Sequence, residues 1–287
     1  MSALTWQIGD VKVTRVVEME VPVPYSPKYS FLKEATPEAL AEMPWLQPHF
    51  ATPEGALMLS IHALCVEAPG IRLVVDTCVG NDKPRRMTRR VGLQTRFLEA
   101  MAEAGFARES VDAVVCTHLH VDHVGWNTMK DGDRFVPTFP NARYLIGRTE
   151  YEHWKNVDED ETPQIMADSV APIFEAGLAQ TVEMDHRIST ELRLVPTPGH
   201  TPGHVSVAIE SKGRTAIITG DMMHHPCQVG RPDWVSEFDG DKQAGAARRN
   251  TMIREWADKP ILVIGTHFAA PTAGRIVRDG AGYRFEA

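Results

Sequence analysis

The sequence predicts an α/β chain folded as a four-layer αββα sandwich. Three observations predict it. Strand-length apolar, β-branched runs fall into two groups, helix-length stretches separate them, and several of the runs end in a histidine or an aspartate. Strand ends that converge on one rim are how an open sheet usually builds a site.

Taken in order, strands are expected over 11–16, 57–66, 71–76, 111–116, 142–146, 192–195, 204–209, 215–219, 261–264 and 274–277. Helices are expected over 92–104, 148–154, 168–176 and 242–257. The run Val111-Asp112-Ala113-Val114-Val115-Cys116 is short and β-branched, so it reads as a buried strand that ends at Thr117 and hands over to a loop. Leu192-Arg193-Leu194-Val195 is followed by Thr197-Pro198-Gly199-His200-Thr201-Pro202-Gly203-His204, a turn-rich segment that places His200 at another strand end. Thr215-Ala216-Ile217-Ile218-Thr219 runs into Gly220-Asp221, and Ile261-Leu262-Val263-Ile264 runs into Gly265-Thr266-His267.

At 287 residues with 43% apolar content, the chain buries a substantial core as one domain over 1–287, and no linker, repeat or low-complexity segment divides it. Residues 1–56 read as an N-terminal extension. Its Pro- and aromatic-rich part, 21–53, is expected to form a dimer arm or a pocket wall, or simply to pack on the sheet, which leaves a homodimer open. The net charge of -8 argues against a nucleic-acid substrate, which would call for a basic stripe. Basic clusters at Lys83-Pro84-Arg85-Arg86 and Arg89-Arg90 read as a solvated face around a helix start.

Cys65, Cys78, Cys116 and Cys227 are widely separated and form no CxxC pair, so they read as buried free thiols. The segment Met1-Ser2-Ala3-Leu4-Thr5-Trp6 has no basic region followed by an apolar one, and no apolar run approaches membrane-spanning length. The expectation is a soluble cytoplasmic protein without a membrane partner.

The chemistry concentrates in His118-Leu119-His120-Val121-Asp122-His123, four ligand-type side chains in six positions. A lone histidine is ordinarily a surface or capping residue, but a cluster packed this way without a cation would bury imidazoles and a carboxylate with few partners. His118 and His120 leave a strand end two residues apart, so they point to one side and can grip one ion. Asp122 and His123 follow and can reach a second ion beside the first.

The order His-x-His-x-Asp-His, then Gly199-His200 in a Pro/Gly turn, then Gly220-Asp221, then a strand ending in His267 resembles the metallo-β-lactamase superfamily of hydrolases, from about residue 57 onward. The resemblance implies that His118, His120 and His200 hold one metal ion and that Asp122, His123 and His267 hold the other, with Asp221 bridging both. It also places Asp76 as a strand-end carboxylate that orients ligands, the role by which such groups fix a histidine's tautomer and basicity. Where the superfamily usually has glycine two residues after this aspartate, the chain has Cys78, with Gly80 shortly after.

Nitrogen and carboxylate donors without thiolate suit Zn²⁺, and Fe, Mn and Co share them. Two ions about 3.5–4 Å apart hold a bridging hydroxide at neutral pH and polarise a carbonyl or phosphoryl oxygen, so the reaction class is hydrolysis. Asp221 and Asp122 would orient the nucleophile and one of them would shuttle the proton.

The segment Gly220-Asp221-Met222-Met223-His224-His225-Pro226-Cys227-Gln228 looks like the branch that contains methyl parathion hydrolase and lactonase-like enzymes. Acyl-homoserine lactonases carry a tyrosine three residues after the bridging aspartate, and here stands His224. His224 either donates a hydrogen bond to an oxyanion or packs beneath the site. The expected substrate is a small apolar lactone or carboxylic ester. The alternatives are an organophosphate triester and, with Arg275, Arg278 and Arg284 as its weak basic support, a glyoxalase II-type thioester. Trp126, Met129, Phe135, Met222, Met223, Trp234 and Phe268 are the apolar pocket candidates.

Overall fold

A computed structural model describes residues 4–287; Met1–Ala3, which open the N-terminal stretch read above, lie outside the described residues. In chain order the strands are β1 (Thr5–Ile8), β2 (Val11–Val23), β3 (Leu57–Ala68), β4 (Ile71–Val75), β5 (Ala113–Cys116), β6 (Thr128–Asp131), β7 (Arg134–Pro137) and β8 (Arg143–Gly147). They continue as β9 (Ala179–Val182), β10 (Leu192–Pro196), β11 (Val205–Ser211), β12 (Arg214–Ile218), β13 (Ile261–Ile264), β14 (Ala273–Asp279) and β15 (Gly282–Glu286). The helices are α1 (Pro37–Ala41), α2 (Phe97–Glu103), α3 (Arg148–Trp154), α4 (Thr162–Ile165), α5 (Ala171–Glu175), α6 (Cys227–Gly230) and α7 (Lys242–Trp256).

One sheet has the order β1-β2-β3-β4-β5-β8-β9 and the other β10-β11-β12-β13-β14-β15, with β6 and β7 as a separate hairpin. The period-2 alternation of the strands assigns the layers. Leu64, Val66, Leu73, Val75 and Val115 of the first sheet meet Leu194, Val207, Ile209, Ala216 and Ile218 of the second in a core between the sheets. Their neighbours Ala63, Cys65, Val74, Val114 and Cys116 face outward under Phe97, Met101 and Ile173 of the helices. On the far side, Ala208, Ile217 and Val263 pack beneath Met252, Ile253 and Trp256 of α7. These three cores make the four αββα layers, and each fully buried Val, Leu or Ile contributes roughly 1.5–3 kcal/mol.

Among the described residues, the N-terminal stretch is built into the sandwich. β1 and β2 are strands of the first sheet, with β2 paired antiparallel to β3 along most of its length. Alternating apolar residues carry the reason, because Val11 and Val13 face the inter-sheet core. The rest of the segment covers the second sheet, with Phe31, Leu32, Leu40, Met43, Leu46 and Phe50 in the same core as Met222, Met223 and Cys227.

The basic cluster near residue 85 needs correction. Lys83 and Arg85 are fully buried rather than solvated. Lys83 donates to the Thr128 carbonyl at 2.9 Å and lies 4.4 Å from the Phe135 ring, and Arg85 pairs with Asp168 at 2.5 Å. A π-turn over Met166–Val170, between α4 and α5, carries Asp168 and the adjacent Ser169. Paired burial of this kind is the condition under which charged groups are tolerated inside.

All four cysteines are free and buried, and burial pushes the Cys116 thiol up to about 12. Among the described residues, no helix is long and apolar enough to cross a membrane.

Candidate metal centre

Five strands deliver their ends to one rim. β4 and β5 run parallel, as do β12 and β13, so the loops after them leave on the same side of their sheets. Asp76 follows β4, the 117–123 loop follows β5, and His200 sits in the turn after β10. Asp221 follows β12 and His267 follows β13.

The structure brings the seven expected ligand residues together. His118, His120 and His200 form one cluster, His118, His123 and Asp221 a second, and Asp122, His123 and His267 a third. Nε2 of His123 lies 3.6 Å from Asp122, 3.3 Å from Asp221 Oδ2 and 3.3 Å from His267 Nε2. Nε2 of His267 lies 3.6 Å from Asp122 and 3.2 Å from Asp221 Oδ1. Bonds of about 2.0–2.2 Å at tetrahedral angles put ligand atoms about 3.3–3.6 Å apart, so these separations have the size of the edges of a tetrahedral zinc site. On the other side, Asp221 Oδ2 is 3.5 Å from His200 and 3.8 Å from His118, while His120 Nδ1 and His200 Nε2 are closer, at 2.8 Å. Oδ2 of Asp221 thus faces His118, His123 and His200 while Oδ1 faces His267, so this one carboxylate lies between the two histidine groups.

Unsatisfied polarity points the same way. His118 Nε2 and Asp221 Oδ1 are buried and have no hydrogen-bond partner among the described residues, which is the state a cation resolves. The donor set therefore fits a pair of divalent cations.

The surroundings orient each donor. Asp76 accepts from His123 Nδ1 at 2.9 Å and from the Thr117 backbone and hydroxyl at 2.8 Å each. Asp239 accepts from His200 Nδ1 at 2.9 Å, and the Ser60 carbonyl from His267 Nδ1 at 2.9 Å. His204, the second histidine of the Pro/Gly turn, accepts the Asp221 N–H at 2.8 Å and so seats that carboxylate. A side chain on Gly220 would meet His204 Nε2 at 2.5 Å, and the residue's φ of +54 lies in the left-handed region that glycine adopts without strain. Cys78 also adopts a positive φ, +52, while the next two N–H groups donate to Glu18.

Electrostatics divides the histidines. Burial and neighbouring imidazoles hold His118 and His120 well below the ordinary value. Burial opposes charge on His267 as well, but Asp221 and Asp122 outweigh it and raise the group to about 9. Burial likewise opposes ionisation of Asp221, yet His123, His267 and His224 hold it well below the carboxylate range. Positive charge is favoured at the carboxylate-rich side of the cluster.

His224 joins the same group. Its Nε2 is 3.4 Å from Asp221 Oδ2, and its ring lies 4.8 Å from that of His200 and 5.9 Å from that of Phe31. Sequence reasoning missed Asp239 and Glu150, which bond residues 31 to 53 positions away, and Trp154, which bonds Glu150 and packs its ring 5.2 Å from that of His120.

A cleft of about 350 Å³ opens beside His120 and His200, walled by Trp154, Pro198, Pro202, Phe238 and Ala244. None of the seven apolar pocket candidates lines it. Trp126, Met222, Met223 and Phe268 are buried in the cores instead, because apolar residues near a motif are as readily core as pocket. Arg278 and Arg284 pair with Asp258 and Glu286, and neither they nor Arg275 line the cleft.

Comparison with known proteins places this architecture. An N-acyl homoserine lactonase of Bacillus sp is 24% identical over 173 residues, 60% of this chain, and the chain spans 62% of that relative's length. Two solved structures share the fold along nearly the whole chain. The hydrolase AbOPH of the beta lactamase superfamily has a TM-score of 0.79 at 24% identity, covering 99% of this chain and 96% of its own. AidC, a dizinc quorum-quenching lactonase in complex with a product, has a TM-score of 0.78 at 18% identity, with the same coverages of 99% and 96%. The sequence profile of the metallo-beta-lactamase superfamily matches residues 59–267, the stretch that holds every strand-end donor described above, and the chain belongs to that superfamily.

Proposed function

We propose that the protein is a dinuclear zinc-dependent hydrolase that opens a small apolar lactone or cleaves a carboxylic ester. His118, His120 and His200 would hold one ion and Asp122, His123 and His267 the other, with the Asp221 carboxylate between the two sets. The observation that carries this reading is the set of 3.2–3.6 Å separations among Asp122, His123, Asp221 and His267. Two zinc ions, when bound, polarise the scissile carbonyl and acidify the attacking water.

The chain's residues supply the rest. Asp122 is the most open of the carboxylates at the site, with a side chain 19% exposed against 5% for Asp221. It takes the proton released by the attacking water and returns it at a carboxylate oxygen to the leaving alkoxide, so that a lactone and water give one hydroxy acid. His224 is held neutral by burial, at about 3, and gives its N–H to the carbonyl oxygen as negative charge develops there. Trp154 and Phe238 keep water from the apolar part of the substrate in the cleft, and Phe31 of the N-terminal segment packs beside His224, with ring centroids 5.9 Å apart.

The lactone preference is supported by the lactonase relatives and by a cleft with no lysine or arginine among its walls for an anionic thioester. The test is conversion of a lactone to its hydroxy acid by the zinc-loaded protein, loss of conversion on chelation and recovery on adding zinc. Inactivity of the loaded protein on every lactone, aryl ester and phosphotriester offered would sink the proposal.

A further inference from the structure

Glu150, on the first turn of α3, is only 1% exposed and carries no counter-charge within its hydrogen-bond shell. Its carboxylate is satisfied by four donors. Oε1 accepts from the Leu119 N–H at 3.1 Å and from the Trp154 indole at 2.5 Å. Oε2 accepts from the Thr201 hydroxyl at 2.8 Å and from the Gly203 N–H at 2.9 Å. Leu119 lies between His118 and His120 in the loop after β5, and Thr201 and Gly203 follow His200 in the loop after β10. The two loops come from different sheets, so one carboxylate ties the first sheet's metal loop to the second's. Gly203 permits the approach, because a side chain there would meet the Glu150 backbone at 2.3 Å.

We propose that Glu150 is a positioning residue that sets the approach of His120 to His200 and thereby the affinity of the three-histidine side of the centre alone. The inference rests on the reading of His118, His120 and His200 as holders of a cation. The opposite set is braced independently, His123 by Asp76 and His267 by the Ser60 carbonyl, with no bond to Glu150. Outer partners of metal ligands act in this way, by fixing the donors' orientation.

Glu150→Gln tests the proposal. Glutamine keeps the shape but replaces one acceptor oxygen with a donor group. The Thr201 hydroxyl can turn to accept from that group, whereas the Gly203 N–H cannot, so the damage falls on the loop after His200. The measurement is titration of the metal-free full chain with zinc alone, and Asp122→Ala, which strips the opposite set, marks which binding step belongs to which ion. The expected result is about a 10–100-fold loss of affinity in the three-histidine step, with the other step near wild type. Equal weakening of both steps, as a general loss of stability would produce, or no weakening of either, overturns the proposal. Thr201→Val removes a single donor from outside the carboxylate and decides the matter if the glutamine variant does not fold: one-site loosening supports the proposal, and wild-type binding at both steps overturns it. A wild-type chain that takes up no zinc overturns the underlying reading together with this one, whereas two bound zincs with equal shifts overturn this one alone.

Discussion

His224 Nε2 stands 3.4 Å from Asp221 Oδ2, and neither nitrogen of the ring has a hydrogen-bond partner among the described residues. A buried imidazole in that condition is expensive unless something else uses it. Its ring lies parallel to that of His267, with centroids 6.0 Å apart. It is therefore held on one face while its polar edge faces the metal cluster.

If that edge serves the carbonyl oxygen of a substrate, His224→Phe lowers kcat by about 100–1000-fold, the effect of losing one oxyanion donor, and leaves two zinc ions bound. His224→Tyr restores part of the loss, since a phenol also donates. Unchanged kcat in the phenylalanine variant would assign the ring to packing.

Asp221→Ala removes the carboxylate whose two oxygens face both histidine groups. The expected outcome is joint loss of metal and activity, read as zinc per chain after gel filtration beside turnover. Retention of two zinc ions by this variant would contradict the bridging role.

Lys83 gives a pH signature. Burial lowers its pKa from 10.5 to about 8, so between these values the unfolded chain holds a proton that the folded chain does not, and stability rises with pH. The penalty is in full force below pH 8. Lys83→Met removes it, so the stability of the variant relative to wild type falls by about 2–3 kcal/mol between pH 7 and pH 10, as measured by denaturant unfolding. A difference that does not change with pH would show that burial does not lower the pKa of this amine.

Much of the fold was legible because strand and motif coincide. The β-branched runs at β4, β5, β12 and β13 are apolar on both faces, which is the pattern of a strand covered on both sides, and each ends at a donor. β9 was not legible, since Ala179-Gln180-Thr181-Val182 has neither strong alternation nor a β-branched run. The hairpin of β6 and β7 also escaped notice, although Asp131-Gly132-Asp133 carries its turn signal. Among site residues, the ligands announced themselves by spacing, whereas Glu150 and Asp239 act on partners 31 to 53 and 39 positions away. Lys83 and Arg85 read as solvent-facing because charge in a sequence carries no sign of burial, and the partner of Arg85, Asp168, comes 83 residues later.

The central claim is a two-zinc centre that opens a carboxylic lactone, and its most direct test compares kcat/KM of the zinc-loaded protein for an N-acyl γ-lactone and a methyl phosphotriester. The lactone is expected to react faster by more than about tenfold, equivalent to about 1.4 kcal/mol of transition-state stabilisation. A phosphotriester preferred by that margin would contradict it.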